Sequence, residues 1–313
     1  MILKYQIAPI CLLFMTISCS QLFAQTPALA KTTYKVTHGT LIMITPTIGG
    51  LIVCADKRGT NSKNDAKFSD SELKIRPLGK KAFYAVTGYS SMEWQDTSGN
   101  GNKFVFNINS IIVEYFSGKD TNDMKALLFS DNSKSAFLPF VLSKLSSEIL
   151  GNLEATHNRN DVLVQIIFCY LDQKNIPKGI IFKIFYNTFS ADVKKPHPVD
   201  VSAGIEDTND NFFRNSDPLE YGMTDLIKVI RLRTNEKIND ILLDQDKEFF
   251  FGKGLKPRNT ALAFTRKMIW LSSQKKYMNN QETGVSPICD CAILDYKKGF
   301  SWLGKNLRPD FTK

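Results

Sequence analysis

Apolar residues alternate with polar ones in several stretches of the chain, and this period of two is typical of β-strands. From Tyr34 to Thr45 the alternation becomes apolar on both faces, which predicts a strand that enters the core. Further short apolar runs predict strands at Leu51 to Ala55, Lys74 to Arg76 and Ala82 to Thr87. Because short turns and loops connect these four segments, we expect them to form one antiparallel sheet.

Apolar spacings of three and four predict helices in the later part of the chain. The predicted helices are Lys103 to Phe116, Ser135 to Leu150, Pro218 to Arg233 and Asn259 to Lys276. Strands are predicted at Val162 to Leu171, Gly179 to Tyr186, Cys289 to Tyr296 and Phe300 to Leu303. Strands and helices therefore come in separate groups rather than in βαβ alternation, which predicts an α+β fold with segregated layers.

The first residues carry the features of a secretory signal. Lys4 is the only charge before Lys31, and the apolar stretch Ile7 to Met15 is shorter than the roughly 20 residues of a membrane span. Small residues fit cleavage after Ala24 or, alternatively, after Ala30, so residues 1–24 are predicted to be a signal peptide. A lipid anchor at Cys19 is disfavoured, because Thr16 stands where a large aliphatic residue is expected. We therefore expect a periplasmic or secreted protein without a membrane span.

Composition narrows the remaining classes. The 313 residues are 43% hydrophobic, which suffices for a core, and the net charge of +9 is spread along the chain without a nucleic-acid motif. We therefore expect no nucleic-acid partner. Cys54, Cys169, Cys289 and Cys291 lie in apolar runs and are interpreted as buried thiols. The histidines have no metal-ligand spacing, and we expect neither a metal nor a cofactor.

The first strands carry a recognisable set of motifs. Gly39 to Ile42, Gly50 to Arg58, Lys74-Ile75 and Gly88 resemble the start of proteasome β-type peptidases, which are N-terminal nucleophile (Ntn) hydrolases. Thr40 precedes Asp56 by 16 residues and Lys74 precedes Gly88 by 14, and both separations match the family pattern. The stretch from Gly284 to Asp295 is similar to the closing strands of bacterial relatives.

The resemblance implies a four-layer αββα sandwich for residues 31–313, as a single domain in which 31–39 are a propeptide. It implies that Thr40, after cleavage between Gly39 and Thr40, attacks an amide with its own α-amine as the base. Lys74 would lower the pKa values of that amine and hydroxyl, Asp56 would hold Lys74 charged, and the Gly88 amide would face the oxyanion. Arg58 would support the positions of these residues.

Two functions remain open on the sequence alone. An exported threonine-type amidohydrolase, acting as a peptidase on peptide or amide substrates and able to form a homo-oligomer, is favoured. The alternative is a catalytically inactive Ntn-fold protein with a structural or binding role. The family's Gly-Ser-Gly motif is replaced near Ser202 to Ile205, and this departure keeps the alternative open.

Overall fold

A computed structural model gives the arrangement of most of the chain. The structure describes residues 33–38, 41–61, 68–95, 103–131, 134–145, 162–187, 200–207, 218–222, 229–230, 236–252, 254–274 and 284–308. The predicted signal peptide, Cys19, Gly39 and Thr40 lie outside these residues.

The described strands form three five-stranded sheets, which we call sheets I, II and III, and a small hairpin. Sheet I contains, in spatial order, β5 (Phe68–Ser69), β4 (Gly59–Asn61), β1 (Thr33–His38), β8 (Ser91–Gln95) and β9 (Lys103–Asn107). Sheet II contains β15 (Leu219–Gly222), β2 (Leu41–Thr47), β3 (Gly50–Asp56), β16 (Cys289–Asp295) and β17 (Gly299–Leu307). Sheet III contains β14 (Asp200–Asp207), β13 (Pro177–Asn187), β12 (Val162–Leu171), β7 (Ala82–Gly88) and β6 (Ile75–Leu78). The hairpin is β10 (Phe129–Asp131) and β11 (Lys134–Ser135), and neighbouring strands in all four units are antiparallel.

Helices occur in two groups. The described helices are α1 (Ile108–Phe116), α2 (Met124–Leu128), α3 (Phe137–Ser143), α4 (Glu236–Ile241), α5 (Asp244–Phe251) and α6 (Arg258–Ser273), with a 3-10 turn at Thr121–Asp123. In sequence, α1 to α3 lie between β9 of sheet I and β12 of sheet III. The helices α4 to α6 precede β16 and β17, the last hairpin of sheet II. Among the described helices, none combines the length and the apolarity needed to cross a bilayer.

Alternating side chains of β2 serve two different cores. Ile42 and Ile44 belong to a buried cluster that also contains Phe83 and Ile167 of sheet III, so sheets II and III share a core. Leu41 and Met43, on the other face of the strand, join a cluster that contains the apolar side of α6. The double burial explains why this segment is apolar on both faces in the sequence.

The opposite face of sheet III has its own core. Tyr84 and Phe168 from the sheet pack with Ile112 of α1 and with Val141 of α3 in a third buried cluster. Aromatic rings dominate this region, and Phe137 makes an edge contact with Phe168 at 5.2 Å between ring centroids. Helices therefore cover the outer faces of both sheets, on the sides opposite the shared core.

The structure corrects the predicted first sheet in two respects. The single strand expected from Tyr34 to Thr45 is two strands, β1 and β2, which end and begin on either side of residues 39–40 and belong to different sheets. The four strands expected in one sheet also divide, because β2 and β3 lie in sheet II while β6 and β7 lie in sheet III. Alternation reports that a segment is buried in a sheet, but it contains no information about which sheet.

Three predicted helices were also wrong in part. The helix predicted from Ser135 to Leu150 is α3 over Phe137–Ser143, and Ser135 belongs to β11. Residues Lys103–Asn107 form β9, and the helix begins only at Ile108, because the Asn107 side chain accepts a hydrogen bond from the Ser110 amide at 3.1 Å and caps it. Residues Leu219–Gly222 form an edge strand on β2, where Leu219 and Tyr221 pack against the core that sheets II and III share. The prediction for Asn259 to Lys276 was confirmed as α6, Arg258–Ser273.

Candidate functional site

The carboxylate of Asp56 stands at the end of β3 and is completely buried. Its Oδ1 accepts a hydrogen bond from the Leu41 amide at 2.9 Å. Its Oδ2 accepts from the Arg58 amide at 2.9 Å and from the Ser286 amide at 3.0 Å. Three backbone amides, one of them 230 residues away in sequence, thus bind one charged group, which burial alone would strongly disfavour.

Lys74 supplies the opposite charge. Its Nζ donates to Asp56 Oδ1 at 2.9 Å and to the Arg58 carbonyl oxygen at 2.7 Å, and its side chain is only 7% exposed. Burial lowers the pKa of the Lys74 ammonium, although Asp56 opposes this effect by stabilising the charged form. The two charged groups are therefore in direct contact, as the pairing implied by the resemblance requires.

The Leu41 contact locates the site along the chain. Leu41 is the residue directly after Thr40, so the hydrogen bond from its amide ties the start of β2 to the Asp56 carboxylate. Thr40 itself is outside the described residues, and its part in the site stays a prediction. The pair of charges nevertheless holds the first described residue after the predicted nucleophile.

Gly88 ends β7 in a conformation that other residues rarely adopt. Its φ is +84°, and a Cβ at this position would collide with the carbonyl oxygen of Leu163 on the neighbouring strand. The Val86 amide, two residues earlier, donates to the Lys74 carbonyl oxygen at 3.2 Å. The end of β7 is therefore linked through its backbone to the segment that carries Lys74.

Arg58 takes part through its backbone rather than its guanidinium. Its amide binds Asp56 and its carbonyl oxygen binds Lys74, whereas its Nε donates to Asp70 at 3.1 Å, at the edge of the site. The resemblance implied a supporting role for Arg58, but it could not reveal which of its atoms contact the pair. Any residue with an N–H can make the contact to Asp56.

Ser286 is the contributor that the sequence did not single out. It is completely buried, its amide binds Asp56, and its Oγ accepts a hydrogen bond from the Ile288 amide at 3.1 Å. The stretch from Gly284 had been noted only for its closing strands. Ser286 comes close to Asp56 because its segment immediately precedes β16, the neighbour of β3, and no local pattern in the sequence indicates this pairing.

Comparisons with known proteins find similar solved structures but no similar sequence. No protein-family model matches the chain, and no curated protein matches its sequence. A solved structure, described as the helical assembly of the Anbu complex from Pseudomonas aeruginosa, is similar over 87% of this chain and 88% of that chain. The sequence identity is 12% and the TM-score is 0.47.

The cysteines beside the site differ from the expectation of buried thiols. Cys54 and Cys291 face each other on β3 and β16 and form a disulfide. Cys169 and Cys289 are free and buried as expected, and burial raises the pKa of the Cys289 thiol to about 12. The disulfide was missed because the pairing of β3 with β16, across a sequence separation of 237 residues, decides which thiols meet.

No group of three metal-ligating side chains occurs among the described residues. The chemistry available at the site is that of a buried ammonium, a fixed carboxylate and backbone amides. Such groups stabilise and orient charge, and a nucleophile has to come from another residue.

Proposed function

We propose that this protein is an exported threonine-type amidohydrolase, acting as a peptidase, in which cleavage between Gly39 and Thr40 frees the nucleophile. The observation that carries the proposal is the Asp56 carboxylate. One buried group binds both the Lys74 ammonium and the amide of the residue that follows Thr40. This contact supports the proposal because it holds Asp56, Lys74 and the residue next to Thr40 together.

In the proposed mechanism, the freed α-amine of Thr40 accepts the proton of its own hydroxyl, since an α-amine has a pKa of about 7.7 to 8. The hydroxyl oxygen then attacks the substrate carbonyl carbon, and the Lys74 ammonium stabilises the nucleophile electrostatically. The Gly88 amide donates a hydrogen bond to the oxyanion. The leaving amine takes the proton, and water hydrolyses the resulting ester. Asp56 positions Lys74 and the backbone at Leu41 and does not touch the substrate.

The fold belonging to this proposal is a four-layer αββα sandwich. It is supported by the shared core of sheets II and III and by the helices that pack on their opposite faces. Sheet I would be an addition to this arrangement, formed by the segments that leave the site. Assembly into a homo-oligomer stays a prediction.

Export receives support from the disulfide between Cys54 and Cys291. Disulfides persist in oxidising compartments such as the periplasm or the cell exterior and are rare in the cytosol. Reduction would leave two thiols in the interior of sheet II, next to the strand end that carries Asp56.

One observation favours the inactive alternative. Residues Thr33–His38, which precede the proposed cleavage point, are built into sheet I as its central strand. A segment with two strand neighbours is a structural part of the fold, and a protein that kept it uncut would have no free threonine amine. Maturation is therefore the step that separates the two functions.

Substitution of Thr40 tests the proposal. Thr40→Ala should abolish both cleavage after Gly39 and hydrolysis of acyl-amide peptide substrates, whereas Thr40→Ser should retain part of each because the hydroxyl is kept. Circular dichroism spectra should be unchanged in both variants. Undiminished hydrolysis by Thr40→Ala would contradict the proposal and make Lys74 the first alternative base.

A further inference from the structure

The strand that precedes the proposed cleavage point occupies an unusual place in the fold. β1 lies between β4 and β8 in sheet I, so it has strand neighbours on both sides. Its residues 33–37 pair with 91–95 of β8, and residues 37 and 38 also pair with 61 and 60 of β4. It is the single connection between β4–β5 on one side and β8–β9 on the other.

All three central strands of this sheet begin or end beside the candidate site. β1 ends at His38, two residues before Thr40. β4 begins at Gly59, directly after Arg58, and β8 begins at Ser91, three residues after Gly88. Sheet I is therefore assembled from chain segments that emerge from the site, and β1 pairs with both of the others there.

Loss of β1 would leave two unpaired strand edges at once. The N–H and C=O groups of β4 and β8 that face β1 would have to find water or another strand, and exposed edges of this kind invite other pairing. A backbone group that stays unpaired and buried destabilises the fold. Cleavage of the peptide bond after Gly39 changes none of the pairings of residues 33–38.

We propose that the segment containing residues 33–38 is not released when the chain is cut after Gly39 but stays bound as the central strand of sheet I. The mature protein is then a noncovalent complex of two fragments. This inference rests on the proposed function for the cut itself, but not for the retention.

A cut made independently of self-cleavage tests the retention. We would insert a recognition sequence for a site-specific protease between Gly39 and Thr40 in the full chain, cut it, and compare native with denaturing mass spectrometry after gel filtration. We expect a one-to-one complex of the two fragments in native conditions and two separate masses in denaturant. If the folded chain resists the protease, cutting in urea followed by dilution yields the same fragments for the same measurement.

Proline variants connect retention to strand pairing. Successive residues of a strand direct their N–H groups to opposite sides, so one of Lys35→Pro and Val36→Pro removes a donor that faces β8. We expect the fragment to be lost from at least one of these cut variants and to be kept in Lys31→Pro, which lies before the strand. Retention that is equal in all three variants would overturn the proposal.

A labelled peptide avoids any effect of these substitutions on folding. A fluorescent peptide of residues 31–39 should exchange into the cut protein, and peptides N-methylated at Lys35 or Val36 should exchange less. Release of the native fragment during gel filtration would contradict retention. This result would leave the catalytic proposal intact. A retained fragment without any hydrolysis would contradict the catalytic proposal and leave the retention proposal intact.

Discussion

Two of the buried aspartate–lysine pairs among the described residues have similar geometry and different surroundings. Asp56 and Lys74 lie 2.9 Å apart beside the candidate site, and Asp246 and Lys267 lie 2.6 Å apart between α5 and α6. Both lysines also donate to a backbone carbonyl oxygen, that of Arg58 in one case and that of Ile241 in the other. A buried ion pair alone therefore does not identify a functional site.

The backbone contacts of the two carboxylates distinguish them. Asp246 accepts one further hydrogen bond, from the Leu243 amide three residues earlier, which caps α5. Asp56 accepts three, from Leu41, Arg58 and Ser286, at sequence separations of 15, 2 and 230 residues. The Asp246–Lys267 pair joins two neighbouring helices. The Asp56–Lys74 pair joins distant parts of the chain at the candidate site.

Removal of each carboxylate should produce the largest contrast. Breaking a buried pair costs about 3 to 5 kcal/mol, and each orphaned buried amide adds about 1 kcal/mol or more. Asp56→Ala orphans two more described amides than Asp246→Ala does. We therefore expect the free energy of unfolding of Asp56→Ala, measured by urea denaturation, to be lower than that of Asp246→Ala by at least about 2 kcal/mol. Equal losses would mean that these amides find other acceptors.

Replacement of each lysine should separate activity from stability. Lys74→Met and Lys267→Met both leave a buried carboxylate without its counter-ion, so both should lower the melting temperature. Only Lys74→Met should reduce kcat for peptide hydrolysis, by about 100-fold or more, because in the proposed mechanism only Lys74 stabilises the reacting groups. A comparable loss of kcat in Lys267→Met, measured at a temperature where both variants are folded, would remove the distinction.

The disulfide beside the candidate site allows a third comparison. Cys54→Ala together with Cys291→Ala should reduce the free energy of unfolding by about 2 to 4 kcal/mol, because the bond joins β3 to a strand far away in sequence. Cys169→Ala, which removes a buried free thiol from sheet III, is the matched control and should cost less. If the reduced wild-type protein is as stable as the oxidised one, the disulfide contributes nothing.

Tyr84 is a buried polar residue whose hydroxyl, unlike the carboxylates of both aspartates, lacks a hydrogen-bond partner among the described residues. It is 1% exposed, and burial raises its pKa to about 12. Because the folded-state pKa exceeds that of the unfolded chain, the stabilisation present below pH 10 is lost as the pH rises toward 12.

We therefore expect Tyr84→Phe to be about as stable as the wild type at pH 8 and more stable than it near pH 11.5, by at most about 2 kcal/mol. Chemical denaturation at both pH values measures this difference. Parallel pH profiles of the two proteins would show that Tyr84 titrates as it does in the unfolded chain.

The sequence predicted the charged pair better than the sheets around it. Asp56 and Lys74 could be placed together because each ends or precedes an apolar strand, where a single charge would be costly. The division of residues 34–45 between two sheets was not predictable, since both halves have the same alternation. The disulfide and the contact with Ser286 depend on the pairing of β3 with β16, which local patterns do not contain.

The amino-terminal residue of the purified wild-type protein tests the central claim most directly. Sequencing of the large fragment, separated under denaturing conditions, should begin at Thr40, and the same preparation should hydrolyse a peptide substrate. A start at Gln25 or Lys31, with no hydrolysis, would contradict the claim, because the threonine would then have an amide in place of its basic amine.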